Sequence, residues 1–147
     1  KEKFYYKPFN NTNNTLEDEL FFNGILPELK IIHTDLHERI MKCSLLIIDH
    51  PGTTLNIAMA ANIPTILFWN KEHFPLEKNA KKYLDKFELN NMFFDNFNEL
   101  SDFIINNSNN LSTWWNNPKI QNLRSQWSNE YAYSNENWKK DWFDFFR

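Results

Sequence analysis

The residues Asp49-His50-Pro51-Gly52-Thr53-Thr54 bring together a carboxylate, an imidazole, a glycine and two hydroxyls within six positions. They follow the apolar run Leu45 to Ile48 and precede apolar residues at Leu55, Ile57, Ala58, Met59 and Ala61, the order of a strand that feeds a helix. In an open parallel sheet, ligands sit outside the carboxyl ends of the strands, where such turns converge. The unpaired N–H groups at a helix start, two threonine hydroxyls and the helix dipole together make an anion site suited to a phosphate or diphosphate. Gly52 would let the oxygens approach the main chain. The same residues also suit a threonine-capped helix behind a glycine turn, with no ligand at all. Gly24 and Gly52 are the chain's only glycines, so neither a GxGxxG fingerprint nor a GxxxxGK[ST] loop exists here.

Other groupings are weaker. His33 and His37 are four apart, but Thr34-Asp35-Leu36 lacks the glutamate of HExxH and no third ligand follows, so no metal site is expected. Asp49 beside His50 invites an acid–base role, although adjacent side chains rarely point the same way; His50 reads first as a ligand contact. His73 falls in a loop at the same sheet edge. Cys43 is the single cysteine, which excludes an internal disulfide or CxxC site and suits a small apolar residue in a reducing compartment. Lys78, Lys81, Lys82 and Lys86 form a solvated helix face.

These residues need a scaffold, and strand-like and helix-like segments alternate to provide one. Phe4-Tyr5-Tyr6 reads as a strand, Leu16 to Phe22 as a helix capped by Asn14 or Thr15 and ended by Gly24, and Leu29 to Ile32 as a second strand. Asp35 then opens a helix to about Lys42. Ser44 to Ile48 predicts a strand covered on both faces, Thr53 to Ala61 a helix, and Thr65 to Trp69 another buried strand. Leu76 to Phe87 and Phe97 to Ile105 read as helices around a short strand at Met92 to Phe94. From Leu111 onward the pattern is helical only and crowded with aromatics. The expected fold is α/β: a Rossmann-like three-layer single domain with a mostly parallel sheet (1–110) and an all-helical aromatic-rich C-terminal segment (111–147). The tail's tryptophans could seal this core or meet another surface.

At 147 residues the chain suits one domain. Sixteen Lys and Arg against 19 Asp and Glu leave a net charge of −3, which disfavours nucleic acid as a partner. No apolar stretch approaches the roughly 20 residues of a membrane span. The chain opens on Lys1 without a leader, and reads as a piece excised from a longer cytoplasmic protein. With 23 asparagines, four glycosylation-type triplets are expected by chance.

The stretch Cys43 to Thr54, followed by Ala60-Ala61-Asn62-Ile63-Pro64-Thr65-Ile66, resembles the donor-binding half of GT-B fold glycosyltransferases. More closely it resembles the C-terminal region of a bacterial family of surface-carbohydrate transferases, with support from Phe4-Tyr5-Tyr6-Lys7-Pro8, Trp114-Trp115 with Pro118, and Ser134-Asn135-Glu136-Asn137-Trp138. The resemblance implies a nucleotide-sugar substrate and no cofactor. It implies that Gly52, Thr53 and Thr54 hold the diphosphate, with Asp49 and His50 beside them, that Lys7 neutralises phosphate charge, and that His33 and Thr34 lie near the base. The acceptor site and catalytic base would belong to an N-terminal domain absent here, so this piece alone would bind rather than catalyse. Such enzymes often carry a glutamate on the ribose where this chain has Ile57, so either Asn56 or another group contacts the ribose or the donor site has drifted. The alternatives are a non-catalytic interaction domain with a degenerate donor site, or half of a sugar-nucleotide epimerase.

Overall fold

Strands and helices alternate as far as residue 107, and among the described residues every strand pairing is parallel. The computed structural model describes residues 4–8, 18–133 and 135–145. The chain divides into two compact units, Lys1–Lys42 and Cys43–Arg147.

In the first unit β1 (Tyr5–Tyr6) pairs with β2 (Lys30–Ile31), Tyr6 lying opposite Ile31. Between them runs α1 (Asp18–Ile25), whose Phe22 ring packs 4.6 Å from Tyr6, and α2 (Leu36–Ile40) follows. Gly24 does not end α1. The helix passes through it, Leu26 still donates to the Phe22 carbonyl at 2.7 Å, and no glycine has a positive φ. Termination falls to Pro27, which lacks an N–H and restricts the residue before it. The expected caps Asn14 and Thr15 lie outside the described residues.

The second unit holds β3 (Leu46–Ile48), α3 (Thr53–Ala60), β4 (Thr65–Phe68), α4 (Lys78–Glu88), β5 (Phe93–Phe94) and α5 (Phe97–Asn107). Its sheet order is β3-β4-β5, with Ile48 opposite Leu67 and Phe68 opposite Phe94. Alternation sends Ile66, Phe68 and Phe94 to one face, where α5 supplies Leu100, Phe103 and Ile104 and Trp114 closes the cluster. Thr65, Leu67 and Phe93, on the opposite face, are fully buried, and Trp69 just beyond β4 stands edge-on to Phe93 at 5.1 Å. Parallel strands that step in one direction place their crossover helices, here α3 and α4, on a common face. The expectation that β3 is covered on both faces fails at Ile47, which is 46% exposed. Its strand is at the edge of this three-stranded sheet, so only part of its surface meets neighbours.

A glycine-poor chain needs another residue for its left-handed turns, and asparagine serves. Asn62 (φ 56°) and Asn91 (φ 57°) are the two non-glycine residues with positive φ among those described. After α3, the N–H of Asn62 donates to Met59 and that of Ile63 to Ala58. After α4, those of Asn91 and Met92 reach Glu88 and Phe87, the same paired closure.

The helical tail comprises α6 (Leu111–Trp115), α7 (Pro118–Tyr131) and α8 (Trp138–Phe145). Asn117 caps α7 and Pro118 occupies its first turn, where a missing N–H is harmless. Trp115, Ile120, Leu123 and Trp127 are all buried, so α6 and α7 belong to the core, α7 packed on α3 and α4 and α6 against α7. Among the described residues no helix is long and apolar enough to cross a membrane.

Candidate functional site

β3 ends at Ile48 and α3 begins at Thr53, leaving four residues to make the turn. Gly52 is the N-cap of α3, extended at φ −115° and ψ −174°, and no side chain caps the helix. The Gly52 N–H donates to the His50 carbonyl at 2.9 Å, and the Gly52 carbonyl accepts from Leu55 at 3.1 Å. Among the described residues the amides of Thr53 and Thr54 have no acceptor. The threonine-capped alternative is therefore not realised, since Thr53 is already helical. Elsewhere the rule differs: Glu77, Asn96 and Asn117 cap α4, α5 and α7 with side-chain oxygens. The first turn of α3 thus presents two N–H donors, two hydroxyls and the positive end of the helix dipole at the carboxyl edge of a parallel sheet.

Asp49 and His50 do point the same way, against the expectation for adjacent residues: Asp49 Oδ1 lies 2.7 Å from His50 Nδ1. The other side of the imidazole covers Gly52. A Cβ on Gly52 would stand 2.9 Å from His50 Nε2 and 3.0 Å from Cδ2, so the absent side chain is what admits the ring. Carboxylate, imidazole and glycine form one packed turn directly ahead of Thr53.

Beside this turn lies a cleft of about 370 Å³. It is lined by Pro51, Gly52 and Thr53 of the turn, by Leu55 and Asn56 of α3, and by Leu76, Ala80, Trp127 and Tyr131. Asn56 Oδ1 accepts from Trp127 Nε1 at 3.0 Å, which leaves the Asn56 amide hydrogens as its available donors. Tyr131 stacks against Trp127 with ring centroids 4.4 Å apart and donates its hydroxyl to Glu77 Oε1 at 2.8 Å. The Asn79 N–H, the Tyr131 hydroxyl and the Ala80 N–H hold the Glu77 carboxyl below its ordinary range. Burial, reinforced by Glu77 and Glu130, pushes the Tyr131 hydroxyl well above its own. Nothing near Gly52 in the sequence points to Leu76, Trp127 or Tyr131. The one local signal is the four-residue spacing of Trp127 and Tyr131, which puts both on one face of α7 without saying what that face meets.

The remaining candidates belong to the first unit. Lys7 follows β1 and His33-Thr34 follow β2, so all three leave the carboxyl ends of two paired parallel strands. Thr34 Oγ1 accepts from Arg39 Nε at 3.1 Å. His33 precedes α2 and His37 lies within it, so the two do not share a helical face. Among the described residues no cluster of three or more His, Cys, Asp or Glu is placed to hold a metal ion. Burial raises the Cys43 thiol, which disfavours a reactive thiolate. Ile57 is half-buried and its side chain offers no hydrogen bond.

Against known families, residues 1–146 match the LIC12162 family transferase. The chain belongs to that family. As a LIC12162 family transferase it carries every candidate residue, from Lys7 to Tyr131, inside the matched span. No curated protein and no solved structure matches it.

Proposed function

We propose that this transferase-family chain binds the nucleotide-activated sugar donor for glycosyl transfer to a bacterial surface polysaccharide, as the C-terminal half of a two-domain GT-B enzyme acting in the cytoplasm. The observation that carries the reading is the uncapped first turn of α3, with the Thr53 and Thr54 amides left without acceptors among the described residues. A diphosphate there would receive charge-assisted hydrogen bonds from two amides and two hydroxyls, each worth about 1.5–3 kcal/mol. Holding the departing nucleoside diphosphate is the electrostatic help such a half contributes to transfer.

Ile57 favours a second reading, a degenerate donor site in a domain that no longer binds. In this second reading the aromatic tail docks another protein; Trp115 and Trp127 are in this unit's own core, whereas Phe143 and Phe145 of α8 are exposed, so the docking surface would fall to α8. Calorimetric titration with nucleoside diphosphates and inorganic pyrophosphate separates the two. Binding that weakens about tenfold or more in Thr53→Ala/Thr54→Ala supports the donor site. No heat with any of these ligands, or heat that the double variant does not alter, refutes it.

A further inference from the structure

We infer that Tyr131 is a latch on the cleft beside Gly52, held against Trp127 by Glu77 and released when the last turn of α7 opens. Two hydrogen bonds cross between α4 and α7, and they are reciprocal. Tyr131 of α7 donates to Glu77 Oε1 at the start of α4, and Tyr83 of α4 donates to Glu130 Oε2 of α7, each at 2.8 Å. Tyr131 and Trp127 line the cleft from α7, while Leu76 and Ala80, to either side of Glu77 in sequence, line it from the start of α4. The bond from Tyr131 therefore ties one lining to the other, and its loss lets them part.

The latch belongs to the weakest part of α7. Tyr131 is the last helical residue, where a helix frays first. No basic residue stands in the last turn to offset the negative end of the helix dipole, and Glu130 adds a negative charge there. What holds this turn is tertiary: the Tyr131 ring lies 4.4 Å from that of Trp127 and 6.0 Å from that of Tyr83, centre to centre, and its hydroxyl reaches Glu77. Both crossing bonds are exposed, whereas Trp127 and Phe87 beside it are buried, so the bonds can break without opening the core.

Acid releases the latch. Glu77 faces the Tyr131 hydroxyl and, further off, Lys82; Tyr131 faces Glu77 and Glu130; Tyr83 faces Glu130 and Lys86, whose ammonium lies 5.4 Å from its ring centre. Its bond to Glu130 raises the Tyr83 hydroxyl, and burial with the two carboxylates raises that of Tyr131, so both phenols remain donors. Glu77 is held below its ordinary range first by the Asn79 amide and then by Tyr131. A depressed carboxyl keeps its bond above the unfolded-state pKa and loses it as pH falls through the folded value.

The test is hydrogen exchange of the whole chain, followed at the Trp127 indole N–H, which donates to Asn56 at 3.0 Å, and at the backbone amides of Ile66 and Leu67 in β4. Trp127→Phe identifies the indole signal. Tyr131→Phe keeps the ring and removes the bond, and it should lower the protection of the indole about three- to tenfold while the β4 amides keep theirs. Tyr83→Phe should act in the same direction, and it carries the test if the first variant unfolds. In the unaltered chain the indole should lose protection on acidification before the β4 amides do, and in Tyr131→Phe that pH dependence should flatten. Indole protection that neither variant lowers overturns the latch. Equal loss at the indole and at β4 overturns it as well, because the bonds then serve the whole fold rather than a local opening. Indole protection in the unaltered chain that stays constant until β4 itself unfolds in acid overturns the release by acid.

Discussion

Asn62 terminates the helix that carries the candidate site and also anchors the tail, so its replacement tests both. Its backbone is left-handed at φ 56°, and its side-chain oxygen accepts from Trp115 Nε1 at 2.9 Å and Gln121 Nε2 at 3.1 Å. Asn62→Gly keeps the turn unstrained and deletes the side-chain acceptor. Trp115 is 2% exposed, so its indole N–H cannot turn to water and retains only the Asn62 carbonyl at 3.3 Å. Gln121 can rehydrate more readily. One bond weakened in the interior and one lost near the surface predict a loss of about 1–2 kcal/mol. Asn62→Ala loses the same bonds and adds the strain of a left-handed Cβ, about 1–2 kcal/mol more. For a chain of this size these correspond to melting points lower by about 3–8 °C for glycine and by a further few degrees for alanine. Urea unfolding followed by far-UV circular dichroism and tryptophan fluorescence measures both. Combined with Trp115→Phe, Asn62→Gly should be non-additive by about 1 kcal/mol, since each removes the same bond. A glycine variant as stable as the unaltered chain would refute the anchoring of the tail, and an alanine variant as stable as glycine would refute the left-handed turn.

Two further outcomes are expected. Gly52→Ala should change stability by less than about 1 kcal/mol, because only the exposed His50 ring has to yield, while an alanine constrains the unfolded chain more than a glycine. The displaced ring must leave Asp49, so the His50 imidazole resonances should shift, and unshifted resonances would contradict the packing of that turn. Glu77 is held below its ordinary range by the Asn79 amide, then by the Tyr131 hydroxyl and the Ala80 amide. A depressed carboxyl stabilises the fold above its unfolded-state pKa, and that contribution disappears as pH falls through the folded value. The stability gap between the unaltered chain and Glu77→Gln should therefore be widest at neutral pH and close on acidification; a pH-independent gap in urea midpoints would count against it.

Much of the fold was legible because its signals are local. Pro64, Asn62 and the apolar periods around them mark the strand-helix-strand unit, and β3, α3 and β4 fall where those residues put them. Gly24 misled because a glycine after an apolar run suits either a helix end or a helix interior, and the proline three residues later decides between them. Ile47 misled for another reason. An apolar run predicts a strand, but whether each face is covered depends on which elements become its neighbours, and β3 is at a sheet edge. Asp49 and His50 meet only because of rotamers that no spacing rule supplies.

The sequence by itself determined the strand, the glycine turn and the helix that follows it, since each follows from residues within about one helical turn of the others, whereas the uncapped start of that helix was visible only in the structure. Tertiary structure decided what stands beside that turn. Trp127 reaches Asn56 across 71 positions, and Tyr131 reaches Glu77 across 54. Tryptophans spaced along a helical tail suit a core or an exposed docking face equally well. Burial is a match between two remote surfaces, and only the packing of α7 on α3 and α4, with α6 against α7, buried Trp115 and Trp127 and lined the cleft beside Gly52.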